Sequence, residues 1–119
     1  MGNTEYTEPA VVVTRMYDFT LWLLPKVERF PRSYRFTVGE RVTSTGLDLL
    51  AALVEAAYSA SKMAPLQVAV RNVNILRYLL RLAKDLNLMK VDSYAFASEH
   101  LDEIGRMTGG WQRSLSRRG

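Results

Sequence analysis

The 119-residue chain is long enough for one domain with its own core, and its 48% hydrophobic and 24% charged residues are ordinary for a globular protein. Sixteen Lys and Arg against twelve Asp and Glu give a net charge of +4, which permits an acidic partner such as nucleic acid without requiring one. The lack of cysteine excludes disulfides and thiolate metal sites, and no apolar run reaches the roughly 20 residues that cross a membrane. The start, MGNTEYTEP, does not resemble a signal peptide, so we expect a cytoplasmic protein that makes no membrane contact.

The first predicted helix runs from about residue 9 to residue 29, with Pro9 in its first turn. Its main apolar stripe comprises Val13, Met16, Tyr17, Leu23, Leu24 and Val27. Three further apolar residues, Val12, Phe19 and Trp22, fall on a second side. Because a helix that is apolar on two sides has to bury both, the sequence predicts that these three residues form a contact between subunits.

Arginines alternate with aromatic rings over residues 29–36, where Arg29, Arg32 and Arg35 interleave with Phe30, Tyr34 and Phe36. Such a segment binds nucleic acid when the rings stack on bases and the guanidinium groups contact phosphates. It anchors a loop when the rings are buried and the Arg stems cover them. Anchoring is the favoured interpretation, and both roles stay open for Arg32 and Arg35. A second helix is predicted over about residues 34–61.

The third predicted helix covers residues 65–87 and includes NVNILRYLLRLAKDLNL, with Asn87 as a left-handed residue that ends it. Its apolar stripe comprises Val73, Leu76, Leu79, Leu80, Ala83 and Leu86. On the opposite side Arg77, Arg81 and Lys84 follow i, i+4, i+7 spacing, and Asp85 is placed to pair with Arg81. Such a row is most often a solvated helix face. The alternative is a binding surface for an anionic partner.

The fourth predicted helix covers residues 93–112. Its stripe comprises Tyr94, Ala97, Leu101, Ile104, Thr108, Trp111 and Leu115. Glycines at 105, 109 and 110 weaken a helix, and they predict close packing around Trp111. Residues 113–119 carry three Arg and no acid, and are predicted to form a disordered basic tail. Four amphipathic helices with short connections predict a single all-α domain, an up-down antiparallel four-helix bundle.

No set of residues for catalysis is readable. The single His100 lies near Glu99 and Glu103, and a lone His in such a setting is far more often structural than catalytic. A di-metal bundle needs two Glu-x-x-His motifs, which one His cannot supply. The sequence therefore predicts no enzyme, no metal, no cofactor and no small-molecule substrate.

Three blocks resemble the accessory variability determinant (Avd) proteins of diversity-generating retroelements: FPRSYRFTVGERV at 30–42, LLRLAKDLNL at 79–88 and EIGRMTGGW at 103–111. The order and spacing of the blocks carry the resemblance, which covers nearly the whole chain. The related ribosomal-RNA intervening-sequence proteins share the bundle but typically carry a Ser-Ile-Pro-Ser-Asn-Ile-like run. Residues 39–53, GERVTSTGLDLLAAL, have no such run, which favours Avd.

The resemblance implies a pentameric barrel of four-helix bundles with a positively charged surface. It implies binding to the element's reverse transcriptase and template RNA, in support of mutagenic cDNA synthesis, with no catalysis by the protein itself. The family's functional basic positions match Arg77 and Arg81. Helical geometry adds Lys84, and the first block adds Arg32 and Arg35.

A protein-interaction scaffold without direct nucleic-acid binding is the alternative function. It would use the surplus apolar surface of the first helix, and the same Arg residues against acidic patches on a protein partner.

Overall fold

The structure is a computed structural model that describes the backbone of residues 3–118 and the side chains of residues 11–117. Within that range all regular structure is helical. The helices are α1 (Asn3–Glu28), α2 (Arg32–Arg35), α3 (Val38–Tyr58), α4 (Met63–Asp85) and α5 (Val91–Arg118). Because α2 is a single turn, the four long helices make up the bundle. None of the described helices is both long enough and apolar enough to cross a membrane.

Contacts between α1 and α5 establish that the two helices run antiparallel. Arg15 pairs with Glu103, Phe19 stacks on His100, and the ring of Trp22 lies 4.6 Å from that of Phe96. Each step forward along α1 is thus a step backward along α5. The pairs Arg77–Asp102 and Lys84–Tyr94 give α4 and α5 the same opposed directions. Helices α1 and α4 lie diagonally across the bundle, since each packs on both α3 and α5.

The core uses part of the predicted stripe of α1, namely Met16, Leu23 and Val27, together with the side predicted to form a subunit contact. The buried α1 side chains are Val12, Met16, Thr20, Phe19, Leu23 and Val27. Val12 and Phe19 are 1% and 2% exposed within a single chain, so their predicted role in a subunit contact is wrong. They belong to the core because α3 and α5 pack against the side of α1 that carries them. Tyr17, predicted for the core, is 54% exposed.

Trp22, the third residue of the predicted subunit contact, is half-buried. Its ring packs against Phe19 at 5.7 Å and Phe96 at 4.6 Å between centroids, and Lys26 Nζ lies 5.4 Å from its centroid. Much of the Trp22 indole surface therefore packs against residues of its own chain. A subunit contact through its exposed edge stays a prediction.

The predicted second helix is divided into α2 and α3 by Phe36 and Thr37. Thr37 has φ −116° and ψ −92°, which is not helical, and α3 begins after it at Val38. The division brings the start of α3 close to the end of α1. A Cβ on Gly39 would lie 3.2 Å from Val27, 3.3 Å from the Tyr34 carbonyl and 3.4 Å from Phe30. Glycine at this position thus permits the close approach.

Helices α3 and α4 are each ended by a defined set of hydrogen bonds. Lys62 Nζ donates to the carbonyl oxygens of Ala56 at 2.8 Å, Ala57 at 3.3 Å and Ser59 at 2.9 Å, which satisfies the free carbonyls at the end of α3. Asn87 has φ 63°, so the predicted left-handed residue is confirmed. The Leu88 amide donates to the Ala83 carbonyl at 2.8 Å, as in a Schellman motif.

The last helix extends further than predicted. Helix α5 continues to Arg118, so the expectation of a disordered tail is wrong for residues 113–118, and residue 119 lies outside the described part. The physical reason is continued packing: Trp111 is buried, and half-buried Leu115 packs one turn later against the same core. The predicted stripe of this helix is confirmed, since its five central residues from Ala97 to Trp111 are buried.

Candidate nucleic-acid and partner interface

The predicted basic row lies along α4, as its spacing requires, but its three members have different surroundings. Arg77 is half-buried against α5, Arg81 is exposed, and Lys84 is half-buried next to Tyr94. The row therefore faces α5 at one end and solvent in the middle. It is not a uniform solvated face.

Arg77 is an interhelical residue. Its Nη1 donates to Asp102 Oδ1 at 2.5 Å, and its Nε is buried without a hydrogen-bond partner among the described residues. The side chain reaches α5 because residue 105 is glycine: a Cβ there would lie 2.9 Å from Arg77 Nη2. Gly105 thus makes room for Arg77. The predicted packing of this glycine around Trp111 is replaced by packing against α4.

Arg81 and Lys84 share one carboxylate. Arg81 Nε lies 4.0 Å from Asp85 Oδ2, which is the predicted pair, and Lys84 Nζ lies 3.4 Å from Asp85 Oδ1. Lys84 Nζ also lies 4.8 Å from the centroid of the Tyr94 ring. The Arg81–Asp85 pair is well exposed and the Lys84–Asp85 pair is partly exposed, so each contributes little to stability and can exchange for an incoming phosphate. Arg81, with a side chain 62% exposed, is the most accessible cation of the row.

Arg32 and Arg35 lie on α2, which has no buried residue. Arg32 is exposed, and Arg35 is half-buried, with an Nε that has no partner among the described residues. Of the rings that alternate with them, only Phe30 is buried, whereas Phe36 is 68% exposed. The segment is therefore anchored by one ring. It leaves Arg32 and Phe36 accessible to a partner.

The fold collects the cations at one end of the bundle. Because the helices are antiparallel, residues 26–41 and 81–92 meet at the same end, here called the basic end. It carries Lys26, Arg29, Arg32, Arg35, Arg41, Arg81, Lys84 and Lys90 against Glu28, Glu40, Asp85 and Asp92. This is an excess of four positive charges, equal to the net charge of the whole chain. The rest of the sequence is formally neutral.

Sequence reasoning missed three of these cations: Lys26, Arg41 and Lys90. Each is unremarkable in its own segment, since none belongs to a row with helical spacing. The signal that would have found them is topological. Once an antiparallel bundle is predicted, charges near alternate helix ends can be summed as one surface.

His100 is held among aromatic rings. Its ring centroid lies 4.1 Å from that of Phe96 and 6.1 Å from that of Phe19, and Nδ1 lies 2.9 Å from the Phe96 carbonyl oxygen. Glu103 pairs with Arg15. The hydrogen bond that Arg15 donates to the Glu103 carboxylate is the main reason that the pKa of Glu103 is below its ordinary value. Within residues 11–117 no group of three potential metal ligands is found.

A model of the bAvd-like family matches residues 10–115 of this chain. The fold is similar to that in a crystal structure of a protein of unknown function from the S23 ribosomal protein family of Bacteroides thetaiotaomicron. The TM-score is 0.82 at 16% sequence identity, and the match covers 89% of this chain and 98% of that chain. At this identity the similarity concerns the fold alone. No curated protein matches the chain.

Proposed function

Because this chain belongs to the bAvd-like family, we propose that it is the non-catalytic accessory protein of a diversity-generating retroelement, which binds the reverse transcriptase and template RNA and supports mutagenic cDNA synthesis. The family match confirms the resemblance that three sequence blocks predicted. The observation that carries the proposed binding is the basic end, which holds all of the excess positive charge of the chain.

The basic end suits an extended polyanion better than a small ligand. Its exposed cations come from α2, α3, α4 and the connections, so they are spread over one surface. Arg81 and Arg32 are its most accessible members among the predicted site residues. Lys84 and Arg35 lie partly covered beside them. Arg77 acts chiefly by holding α4 against α5, and so it orients the turn of α4 that carries Arg81.

Assembly would multiply this charge, and the chain has two exposed apolar surfaces that suit it. The α1–α3 patch comprises Tyr17, Thr20, Leu21, Leu24, Pro25 and Leu50. The α4 patch comprises Asn74, Ile75, Tyr78, Leu79 and Leu82. Leu21 and Tyr78, the most exposed apolar residues of each, are 60% and 71% exposed. Exposed apolar patches of this kind commonly mark protein interfaces.

The two patches lie on different sides of the bundle, because α1 and α4 are diagonal. A contact between unlike surfaces is head-to-tail, and repeated head-to-tail contacts close into a ring when the rotation permits. We therefore place the subunit contact between the α1–α3 patch of one copy and the α4 patch of the next. The pentamer is the ring size that the family resemblance implies.

A protein scaffold without nucleic-acid contact is the second candidate. It is favoured by the ion pairs of Arg77, Arg81 and Lys84, which leave this row with a small net charge. In that case the apolar patches would bind the polymerase. The basic end would then serve only an acidic protein surface.

Binding of template RNA at several salt concentrations tests the proposal. Arg81→Gln with Lys84→Gln should weaken binding and reduce the log–log salt slope by about 0.7 to 0.9 for each phosphate that the variant no longer neutralises. A matched control, Arg71→Gln with Arg106→Gln, removes two exposed cations outside the basic end and should leave the slope unchanged. An intact oligomer with unchanged RNA affinity in the first variant, but weaker capture of the polymerase, would establish the scaffold instead.

A further inference from the structure

A small cavity at the basic end is lined by three cations. It lies between the last turn of α1, the connection from α4 to α5, and the first turn of α5. Its lining residues are Lys26, Arg29, Phe30, Leu88, Met89, Lys90 and Ser93. Its volume is about 170 Å³. We propose that this cavity, here called the end pocket, binds a terminal phosphate group, that is, a phosphomonoester dianion.

The charges of the end pocket are uncompensated. The ion pairs found among the described residues are made by Arg15, Arg77, Arg81 and Lys84, so Lys26, Arg29 and Lys90 have no carboxylate partner there. No acidic residue lines the cavity. Like charges held close together repel, and an anion placed between them removes that repulsion. The structure therefore places three cations around one cavity with no carboxylate paired to any of them among the described residues, which favours an external anion.

The floor of the pocket is fixed by the fold. Phe30 is 1% exposed and Met89 9% exposed, so neither moves freely. The left-handed conformation of Asn87 turns the chain after α4 and carries residues 88–90 over the end of α1. The two sides are thus held at a set distance. The backbone that carries the cations is thus fixed, whereas the exposed side chains of Arg29 and Lys90 become ordered when an anion binds.

The backbone acts in both directions here, because the first turn of α5 favours an anion and the C-terminal turn of α1 disfavours one. The first amide groups of α5 have no partner inside the helix, and the pocket reaches this turn at Ser93. At the other wall, Arg29 N donates to the Lys26 carbonyl at 3.1 Å and Phe30 N to the Val27 carbonyl at 3.0 Å. Each of these carbonyls keeps a second lone pair, so the bonds reduce the negative potential at the end of α1 without removing it. Glu28 and Asp92 each lie next to a pocket residue in the sequence, and neither lines the cavity.

Size and charge select the ligand class. Pockets for drug-sized ligands have volumes of about 300–1,000 Å³, so 170 Å³ suits a single phosphate group better than a whole nucleotide. A phosphomonoester carries a charge of about −1.5 to −2 at pH 7, which matches three cations better than the single charge of a diester does. Arg29 supplies the planar donor set that binds phosphate oxygens in pairs. The ligand is therefore the end of a nucleic-acid strand or free phosphate.

The inference rests on the proposed function in that the end pocket is part of the basic end, but it contains none of Arg77, Arg81, Lys84, Arg32 and Arg35, and so the two proposals can be tested with different variants. Its test uses the intact chain and two short RNA oligonucleotides of one sequence, with a 5′-phosphate or a 5′-hydroxyl. We expect the phosphorylated strand to bind at least tenfold more tightly by fluorescence anisotropy. Inorganic phosphate, added at constant ionic strength, should compete for the phosphorylated strand and leave the other unaffected.

Substitution then assigns the preference to the pocket. Arg29→Gln with Lys90→Gln should bring the ratio of the two affinities close to one. The matched control, Arg41→Gln with Arg71→Gln, removes two exposed cations outside the pocket and should keep the ratio. Circular dichroism and sizing verify that both variants are folded and assembled as the parent is.

Each possible result of these measurements either supports or overturns the phosphate site. A preference that is lost only in the pocket variant supports the proposal, and the strand end is the ligand if it binds more tightly than inorganic phosphate. Equal affinities in the parent protein, or a preference that survives in the pocket variant, would overturn it. Neither result bears on whether Arg81 and Lys84 set the affinity for template RNA, so the two proposals fail separately.

Discussion

Arg77 and Gly105 face each other across the contact between α4 and α5, where a Cβ on residue 105 would lie 2.9 Å from a terminal guanidinium nitrogen of Arg77. The glycine is in the middle of a helix, where it costs up to about 1 kcal/mol relative to alanine. This local cost is offset by an ion pair between α4 and α5, formed with Asp102 at 2.5 Å. A residue in one sequence block thus makes room for a cation of another helix.

Substitution of Gly105 tests this relationship. Gly105→Ala gains helix propensity and displaces only the end of a flexible side chain, so we expect the free energy of unfolding to change by no more than about 0.5 kcal/mol. Gly105→Leu forces the helices apart and should lose about 1–3 kcal/mol. Urea denaturation of both variants gives the comparison. A loss above about 1 kcal/mol in the alanine variant would mean that Arg77 has no room to shift.

Arg77 and Arg81 should respond differently to the same substitution. Arg77→Ala removes an interhelical ion pair and the packing of its stem, so we expect a loss of about 1 kcal/mol in unfolding free energy. Arg81→Ala changes an exposed residue and should stay within about 0.5 kcal/mol, while it weakens RNA binding. A double-mutant cycle of Arg77→Ala with Asp102→Ala should give a coupling of about 0.2–1 kcal/mol. Equal stability losses in the two single variants would contradict this division.

The ion pair of Arg15 and Glu103 makes stability depend on acid pH. The pKa of Glu103 is lowered in the folded state, first by the hydrogen bond from Arg15, whereas an unfolded Glu titrates near its ordinary value of about 4.3. The unfolded state therefore binds the proton more readily, and stability rises with pH through this range. The contribution is complete above the ordinary value and is lost as the pH falls through the lower folded value.

Denaturation of the parent and of Glu103→Gln at pH 3 and pH 6 measures this contribution. We expect the parent to exceed the variant in unfolding free energy by more at pH 6 than at pH 3. Asp18→Asn is a suitable control, since Asp18 forms none of the ion pairs found within the described residues. If the difference in unfolding free energy between the parent and Glu103→Gln is the same at both pH values, the Glu103 carboxylate does not contribute to the loss of stability at acid pH.

His100 should be dispensable for cDNA synthesis. The ring is stacked on Phe96 and paired with a backbone carbonyl, which is a packing role. We expect His100→Ala to lower stability and His100→Phe to keep the stacking, with both variants supporting synthesis in a reconstituted reaction. Loss of synthesis in both variants, with the fold and assembly intact, would contradict the non-catalytic interpretation.

The parts of the fold that the sequence predicted well are those whose signal is local. The stripe from Ala97 to Trp111 is a strict helical repeat with one apolar side, so only that face of α5 can be the buried one. Asn87 is likewise identified by its own backbone preference. In α1 the apolar residues surround most of the helix, so Val12 and Tyr17 are equally good core candidates from spacing alone. Only the positions of α3 and α5 decide between them.

The candidate site was harder to predict, because its pairings are between helices. Arg77 has no acidic neighbour one turn before it, and its partner Asp102 lies 25 residues away on α5. The residues around Arg77 in the sequence therefore predict an unpaired cation. Lys26 and Lys90 meet in the end pocket only through the antiparallel topology, for the same reason. Charge rows within one helix are readable from sequence, whereas surfaces built from several helix ends need the fold first.

The proposed subunit contact predicts the effect of one charge on each apolar patch. Leu21→Glu alters the α1–α3 patch and Tyr78→Glu alters the α4 patch, and both positions are well exposed in the single chain. Each variant should remain folded, because neither side chain belongs to the core. Each should also fail to form the ring and run as a monomer in light scattering, since an unpaired charge inside an apolar contact is costly. Phe36→Glu, at an exposed position outside both patches, should leave the assembly intact.

Mixing the two variants distinguishes a head-to-tail contact from a symmetric one. Leu21→Glu keeps an intact α4 patch and Tyr78→Glu keeps an intact α1–α3 patch, so one joint forms between them and no further subunit can add. We therefore expect a one-to-one heterodimer from the mixture, with neither variant self-associating alone. If like patches met in a two-fold contact, each variant would retain the patch that is altered in the other, and at least one would dimerise alone. A mixture that stays monomeric would exclude both patches as partners, and the ring would need another surface.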